Sequence, residues 1–378
     1  MKKGLYHFSR ILTGLVFTFS GFVKAVDPVG TQIKFSDYFE AMGLAFLMPY
    51  ALIFSFLLNA AELTVGLMLL FNVFTKFANW IGLFFLLVFT PLTLWLAIAN
   101  PVTDCGCFGD AVKLTNWQTF GKNVLLLLFI LIIFFYRKKY GSDFKNKKPK
   151  ILFAVFILFA FGFQFYNFYN LPIIDFRPFK EGTNIKKSIS FPADAPKDIY
   201  ETVLYYKNLK TGKKKAFDIN TIPYQDTLNW AYDTTITKLI KKGYEPPIHD
   251  FFLSDLRGRD ITESILNDKR ISCILIMPDF KKGIKRLQNY KKELNDIAFY
   301  TDYNHYHFYC FTSSQSSIIN QYKNSLPPYV QILTGDKKML KTFIRSNPGF
   351  VVLKDAKVLK KFHYYNIPNI KEIKNLNQ

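Results

Sequence analysis

Long apolar runs separated by short polar segments occupy the first 170 residues of the chain. Each run has about the length, ~17–25 residues, with which a helix crosses the ~30 Å hydrocarbon core of a bilayer. The runs cover residues 5–23, 49–71, 77–99, 120–136 and 151–169. The pattern therefore predicts an α-helical membrane bundle with five transmembrane helices.

The pattern changes after residue 170 to that of a water-soluble protein. From residue 249 onwards, buried-type strands alternate with helical segments, which is typical of an α/β domain. We expect strands at 271–277, 305–311 and 347–353 and helices at 283–294, 316–325 and 336–344. Before this domain, residues 200–206 and 215–219 predict a β-hairpin, and residues 226–242 predict a helix that ends at Gly243.

These changes divide the chain into four segments. Residues 1–140 are the membrane domain, and residues 141–170 are a basic cytoplasmic loop with the fifth transmembrane helix. Residues 171–248 are a periplasmic linker with a small hairpin and helix, and residues 249–378 are the α/β soluble domain.

The charge balance is strongly basic, with 49 Lys and Arg against 28 Asp and Glu and a formal net charge of +21. The lysines are spread through the soluble half and form no nucleic-acid recognition motif, so we expect no nucleic acid partner. Attraction to anionic membrane lipid is the simpler explanation for the excess.

The basic loops predict the orientation of the helices. Lys2, Lys3 and the seven Lys and Arg residues between 137 and 150 should face the cytoplasm. With five helices, the loop between the third and fourth helices and the whole C-terminal domain then lie on the outer side. We expect a multi-pass protein of the inner (cytoplasmic) membrane whose C-terminal domain is periplasmic, where disulfides form and persist.

Two of the four cysteines, Cys105 and Cys107, lie one residue apart in that outer loop. The ring that a Cys-x-Cys disulfide closes is small, so the bond would be readily reduced. The residues alone leave redox chemistry, soft-metal binding and a structural role open. Cys273 and Cys310 fall within predicted strands, where free cysteines are usually buried core residues.

Two ionisable residues lie inside the apolar runs. Glu62 is near the middle of the second run, and a charge at that depth normally faces the interior of a helix bundle. It pairs with a neighbour, stays protonated or takes part in proton handling. Arg10 is near the inner end of the first run, where we expect its long side chain to snorkel to the membrane surface.

Several short motifs carry a family resemblance. The membrane half resembles the DoxX-like four-helix proteins in the motifs Arg10-x-x-x-Gly14, Ser20-Gly21-Phe22-Val23-Lys24 and Glu62-x-x-x-Gly66. It resembles the MauE branch of that superfamily in the loop Cys105-Gly106-Cys107-Phe108-Gly109-Asp110, followed by Asn116-Trp117.

The resemblance covers roughly residues 5–140 and leaves the fifth helix and the C-terminal half outside it. MauE-like proteins are implicated in the maturation of disulfide-rich periplasmic proteins, together with a thioredoxin-like partner. DoxX-like proteins occur as membrane subunits of oxidoreductase assemblies. The resemblance implies that Cys105 and Cys107 are the catalytic redox pair and that Glu62 and Lys24 are characteristic polar positions of the membrane domain.

The C-terminal domain resembles the thioredoxin-like fold. The resemblance implies a cis peptide bond before Pro348 and a tight hairpin at Asp355-Ala356. A working thioredoxin carries Cys-x-x-Cys just after its first central strand, but residues 278–282 contain no cysteine. We therefore expect the domain to bind a periplasmic protein partner without dithiol chemistry of its own.

Two functions remain open, and a third, an ion-handling bundle that uses Glu62, is poorly supported because no repeat with broken helices is present. The first is an inner-membrane protein of periplasmic thiol–disulfide exchange or of an oxidoreductase assembly, which uses the cysteine pair at the outer face. The alternative is a non-enzymatic scaffold of a cell-envelope complex. No cofactor is predicted, because haem, dinucleotide and zinc motifs are absent from the sequence. A quinone stays open as an electron acceptor, since no motif in the sequence specifies a site for it.

The position of the cysteine pair also predicts which thiol is more reactive. Asn116 is expected to cap the fourth transmembrane helix, whose N-terminus would stabilise a nearby thiolate. Asp104 and Asp110 oppose this effect, but we expect them to face solvent. Cys107 is closer to the cap, so we expect it to start exchange and Cys105 to resolve it.

Overall fold

The computed structural model describes residues 2–102, 105–143, 147–192, 194–219, 221–223, 226–241 and 243–376. Asp104, which is expected to face solvent, and residues 144–146 of the basic loop therefore lie outside the described residues. The chain forms two compact units, which are described separately: Met1–Thr183 together with Phe252–Gln378, and Asn184–Phe251.

The first unit begins with the membrane helices. Within the described ranges, five helical segments are long and apolar enough to cross a membrane, as predicted. They are built from α1 (Lys2–Val26), α3 (Ala51–Leu70), α4 (Thr75–Ala99), α5 (Asn116–Tyr140) and α6 (Lys147–Tyr169). The polar stretch after α1 is not an open loop. It forms α2 (Pro28–Ala41) and a 3₁₀ turn, Ala45–Tyr50, that runs into α3.

Helices α1 and α3 are in close contact at two glycines. A Cβ atom on Gly21 would collide with the backbone nitrogen of Leu63, and one on Gly66 would collide with the backbone nitrogen of Thr18. Small residues let membrane helices approach to backbone contact, where dispersion forces and interhelical hydrogen bonds hold them together. This contact sets the distance between the polar residues that α1 and α3 carry.

The second unit is an antiparallel sheet. Its elements are α7 (Ile185–Ile189), β1 (Ile199–Asn208), β2 (Lys214–Asp218) and β3 (Trp230–Lys241), with strand order β2-β1-β3. The hairpin β1–β2 was predicted, but the helix predicted at 226–242 is wrong. That segment is β3, because its β-branched residues Thr234, Thr235, Ile236 and Thr237 favour extended backbone and pair with β1 along its whole length.

The C-terminal part of the first unit contains a sheet of order β4-β7-β6-β5-β8-β9. The strands are β4 (Leu253–Ser254), β5 (Ile271–Met277), β6 (His307–Thr312), β7 (Gln331–Gly335), β8 (Gly349–Lys354) and β9 (Lys357–His363). The central strand β5 is buried along its whole length, as expected for a strand covered on both faces. It is parallel to β6 and antiparallel to β8, which pairs with β9.

The helices of this domain lie between the strands in sequence, except α13, which follows β9. They are α8 (Thr262–Asn267), α9 (Phe280–Leu287), α10 (Lys291–Tyr303), α11 (Ser316–Tyr322), α12 (Lys337–Phe343) and α13 (Ile370–Asn375). The order of helices and strands is that of the thioredoxin-like fold. The Asn347–Pro348 bond is cis, and Asp355 and Ala356 form the β8–β9 turn with positive φ angles, both as predicted.

Two details of the α/β domain differ from the prediction. The helix expected at 283–294 is divided into α9 and α10 by a 3₁₀ turn at Gln288–Tyr290. Strand β7 was not predicted, because its alternation is short and its residues are only partly buried. It extends the sheet by pairing with β6 in parallel.

The glycine contact predicts a difference between two Gly→Ala variants. Gly66→Ala adds a methyl group against the backbone of α1, and overpacking of this kind typically costs about 1–3 kcal/mol. Gly162→Ala on α6 is the matched control, since its added Cβ would have no neighbour within 4 Å. Thermal unfolding of both variants in detergent should show a lower Tm for Gly66→Ala and an unchanged or higher Tm for the control. Equal Tm values would contradict the close contact.

Candidate functional site

The cysteine loop lies between α4 and α5, and its two thiols are adjacent. The Sγ atoms of Cys105 and Cys107 are 3.0 Å apart, and both residues are half-buried. Gly106 between them has a φ of 64°, in the left-handed region that glycine adopts most easily. A Cβ there would also lie 2.9 Å from the side chain of Lys34. Glycine therefore allows the two thiols to meet under α2.

Helices α1 and α2 hold this loop through its backbone. The Ser20 hydroxyl on α1 donates to the carbonyl oxygen of Cys107 at 2.6 Å. The Tyr38 hydroxyl on α2 donates to the carbonyl oxygen of Cys105. Each cysteine is thus positioned by a hydrogen bond from a different helix, which limits how far the thiols can separate.

A buried ion pair lies beside the thiols. Lys24 Nζ on α1 is 2.7 Å from Glu62 Oε2 on α3, and both side chains are almost buried. Of the alternatives considered for Glu62, the structure shows pairing with a neighbour. The main chain at Lys24 is also held, because the Asn59 amide donates to its carbonyl oxygen at 3.1 Å. The structure thus brings together Lys24, Glu62 and the cysteine pair, which are far apart in sequence.

These residues line a pocket of about 850 Å³, measured to its open mouth. Its polar end contains Cys105, Cys107, Lys24, Glu62, Lys34 and Lys122. Its apolar wall contains Phe17, Phe35, Leu58, Phe85, Phe89 and Leu126. A pocket with apolar walls and a few converging polar groups is the usual form of a small-molecule site.

The two thiols differ in acidity. A hydrogen bond to Cys107, together with burial, raises the pKa of Cys105. The same hydrogen bond lowers the pKa of Cys107 to about 6; burial opposes this change, and the charges of Lys122 and Lys24 support it. These directions favour Cys107 as the thiolate, which is the nucleophilic form, with Cys105 as its hydrogen-bond donor.

The expected helix cap is wrong in detail. Thr115, not Asn116, caps α5, and it forms a capping box with Gln118. The Asn116 amide instead donates to the carbonyl oxygens of Leu96 and Val102 and so ties the start of α5 to the end of α4. Asn116 is one residue too late for the cap because its backbone is already helical.

Other residues of the cysteine motif also contact the neighbouring helices or shape the loop. The Phe108 ring packs against Phe19, with ring centroids 5.4 Å apart, and Lys122 Nζ lies 4.7 Å from the Phe108 centroid. Gly109 has a φ of 50°. Asp110 is half-buried rather than solvent-facing, and burial, followed by the charge of Asp27, raises its pKa.

Three predicted residues lie away from the pocket. Trp117 is exposed near the start of α5, where its ring contacts Phe120. Pro348 is in the thioredoxin-like domain and does not line the pocket. Arg10 is near the other end of α1, and its side chain reaches the C-terminal end of α3. Its guanidinium is buried and donates to the carbonyl oxygens of Leu69 and Leu70, which have no partners within α3 because the helix ends there.

Helix α2 connects the site to the thioredoxin-like domain. Arg345 binds both carboxylate oxygens of Asp27, the N-cap of α2, with its closest contact at 2.7 Å. Burial raises the pKa of Asp27, but Arg345 more than offsets this, so that the pKa lies below its ordinary value. Near the other end of α2, Lys338 binds Asp37 at 2.9 Å.

The sequence interpretation missed Lys122, Tyr38 and Asp27. Lys122 had a usable signal, since a charge inside an apolar run normally marks a functional position. Asp27 followed by Pro28 is a helix-start signature that predicts α2. Tyr38 has no signal of this kind, because only the folded chain brings its hydroxyl to the cysteine loop.

The acidity of Cys107 predicts the pH dependence of alkylation. In reduced membranes, the labelling rate of Cys107 should be nearly constant above about pH 6 and should fall roughly tenfold per pH unit below it, because only the thiolate reacts. Cys105→Ser removes the hydrogen-bonded thiol and should raise the midpoint. A midpoint near pH ~8.5, the ordinary value for cysteine, would contradict the geometry. Cys273 and Cys310 serve as internal controls, because both are fully buried and should stay unlabelled.

Comparisons with known proteins agree with this division of the chain. Residues 2–136 match the family model described as methylamine utilisation protein MauE, and residues 200–242 match a domain of unknown function, DUF8463. No curated protein matches the chain.

Two solved structures are similar to parts of the chain. A thioredoxin-like protein from Aeropyrum pernix is 13% identical, with a TM-score of 0.25, over 34% of this chain and 88% of that one. A thioredoxin-like protein from Bacteroides caccae is 11% identical, with a TM-score of 0.24, over 87% of this chain and 82% of that one. The thioredoxin-like fold of the C-terminal domain is shown instead by the strand order and register of its sheet. The protein combines a MauE-like membrane region with a thioredoxin-like domain.

Proposed function

We propose that this multi-pass membrane protein exchanges disulfides with a periplasmic protein partner through Cys105 and Cys107. The observation that supports this most directly is the pair itself: two thiols 3.0 Å apart beside a buried lysine, with the pKa of Cys107 lowered and that of Cys105 raised. A purely structural pair would need neither the adjacent charge nor the difference in acidity. Within the described residues, no group of His, Cys, Asp and Glu side chains is suited to a metal ion.

The exchange runs through a mixed disulfide at Cys107. A partner thiolate attacks the sulfur of Cys107, the Cys105–Cys107 bond breaks, and Cys105 leaves and takes up a proton. The second partner thiol then attacks the partner sulfur of the mixed disulfide and releases Cys107 as a thiolate. Cys107 is the better leaving group in this second step because its pKa is low. The partner loses two electrons and the membrane pair gains them.

The orientation proposed for this reaction follows from the basic loops. It places the N-terminus in the cytoplasm, and the cysteine loop and the thioredoxin-like domain in the periplasm. A membrane-impermeant maleimide should then label Cys107 in intact spheroplasts.

The thioredoxin-like domain is proposed to hold the partner rather than to react with it. Residues 278–282, at the position of a thioredoxin dithiol, contain no cysteine. Cys273 and Cys310 are fully buried, and burial raises the pKa of both thiols, that of Cys273 to about 12. The ion pairs of Arg345 and Lys338 attach this domain to α2, whose Tyr38 binds the cysteine loop.

A trapping experiment separates exchange from scaffolding. Cys105→Ser leaves Cys107 as a single thiolate, which can attack the disulfide of an oxidised partner by the reverse of this exchange. Because no Cys105 thiol remains to displace the partner again, the mixed disulfide should accumulate, visible as a reducible band in non-reducing electrophoresis. Cys107→Ser should trap little or none, and Cys273→Ser should behave as the unaltered chain. If neither single variant traps a partner, and the double Cys105→Ser/Cys107→Ser variant retains full function in cells, the scaffold alternative replaces the proposal.

The oxidant proposed for the reduced pair is a lipid-soluble quinone in the adjoining pocket. Phe85 and Phe89 on membrane-spanning α4 line the pocket and are only half-buried, so this wall is near the lipid. Lys24 and Lys122 at the cysteine end provide N–H donors for carbonyl oxygens. A bound quinone would take up the two electrons and two protons that are released when the pair forms its disulfide. Lys24 and Glu62, which lie beside the thiols, would pass these protons from the cysteine pair to the quinone.

Quinone binding has its own test. Phe89→Trp should fill part of the pocket, whereas Phe84→Trp on the same helix is a control because Phe84 is exposed and does not line it. In nanodiscs, a short-chain quinone should oxidise the reduced pair severalfold more slowly in Phe89→Trp than in the control. A photoreactive quinone should label the peptide that contains Phe85 less strongly in that variant. Equal rates and labelling in both variants would remove the quinone but not the exchange reaction.

A further inference from the structure

A second cavity, of about 340 Å³, lies where the thioredoxin-like domain meets the ends of α2 and α6. Five Lys and Arg side chains line it: Lys282 and Arg286 on α9, Lys337 and Lys341 on α12, and Arg345 just after α12. It is distinct from the cysteine pocket, with which it shares no lining residue. We call it the cationic cavity.

The positive charge of the cationic cavity is not balanced by its own carboxylates. Asp279 is the acidic residue among the described side chains that line it, and its carboxylate caps α9 by accepting from the backbone N–H of Lys282. Arg345 also lines the cavity but is committed to Asp27. Burial, and then the charges of Lys337 and Arg345, lower the pKa of Lys341. The charges of Lys337 and Arg345 therefore act on Lys341, and an anion bound in the cavity would relieve this repulsion.

Part of this cationic surface is already rigid. Arg286 donates from one terminal nitrogen to the carbonyl oxygen of Asn347 at 2.7 Å, and its guanidinium lies 4.4 Å from the centroid of the Tyr364 ring. A guanidinium has five N–H donors in a fixed plane, so further donors remain for an oxyanion. Holding the group in place in advance reduces the entropy lost on binding.

The position of the cavity identifies the kind of anion. Phe168 and Tyr169 line it, and they are the last two residues of α6, where this membrane-spanning helix ends. Aromatic residues at such an end normally lie at the level of the lipid headgroups. The anionic group that is present there at high local concentration is the phosphate of a phospholipid.

We propose that the cationic cavity binds the headgroup phosphate of an anionic phospholipid. The phosphate oxygens accept hydrogen bonds from Arg286 and from the three lysines, and the acyl chains pass alongside the end of α6. Residues 278 and 279, at the position of a thioredoxin dithiol, form part of the wall. The face that carries redox chemistry in a thioredoxin would thus attach this domain to the membrane. The proposal does not depend on the thiol chemistry.

Lipid retention by the full chain tests this site. A Lys282→Gln/Lys337→Gln/Lys341→Gln variant should bind phosphatidylglycerol about tenfold or more weakly, given the free energy that each cation contributes near an anionic membrane surface. Native mass spectrometry of protein released from nanodiscs with phosphatidylglycerol in phosphatidylcholine measures the retained lipid. The matched control is Lys292→Gln/Lys323→Gln/Lys371→Gln, which removes the same charge from exposed positions that do not line the cavity. It should retain lipid as the unaltered chain does.

Two further measurements test whether the variants are folded and whether free phosphate binds equally well. Both triple variants should unfold at the same temperature in pure phosphatidylcholine, and if the first does not, the exposed single variants Lys282→Gln and Lys337→Gln replace it. Inorganic phosphate added in detergent should raise the Tm of the unaltered chain far less than phosphatidylglycerol does. An equal effect of phosphate would identify a free-phosphate site and overturn the lipid. Equal lipid retention by the two triple variants would overturn the site itself.

Discussion

The close approach of α1 and α3 is the constraint on which the site depends. Gly21 and Gly66 each leave room for the backbone of the facing helix, and so they determine how far apart polar groups on the two helices lie. At this separation Lys24 reaches Glu62 at 2.7 Å inside the membrane region. A charge buried there without a partner would be very costly, so the helix contact and the ion pair stabilise each other.

The ion pair in turn contributes to the electrostatics of the cysteine loop. Cys107 can be acidic in a half-buried loop because Cys105 donates to it and because the charges of Lys122 and Lys24 are near. Glu62 opposes this effect but is already paired with Lys24. The thiols are thus held in an asymmetric state by groups from α1, α3 and α5, and no single helix would produce it.

Helix α2 extends this arrangement to the thioredoxin-like domain. Asp27 and Asp37 near its two ends bind Arg345 and Lys338, while Tyr38 binds the backbone of the cysteine loop. A displacement of α2 would therefore change the contacts of the thiols. This gives the α/β domain a physical connection to the cysteine pair although it contributes no cysteine to it.

Apolar periodicity was sufficient to locate the membrane-spanning helices and most strands, because burial in lipid or in a sheet requires long stretches of one character. It failed at 226–242, where pairing with β1 decided between helix and strand. The motif also identified the cysteine pair, Lys24 and Glu62. Which of these residues meet and where Arg345 binds emerged only from the tertiary structure. The sequence predicted Cys107 as the more reactive thiol from its nearness to a helix N-terminus. In the structure the first cause of its low pKa is the hydrogen bond with Cys105. Distances of about 3 Å depend on how the helices pack, and packing is a property of the whole chain rather than of any local pattern.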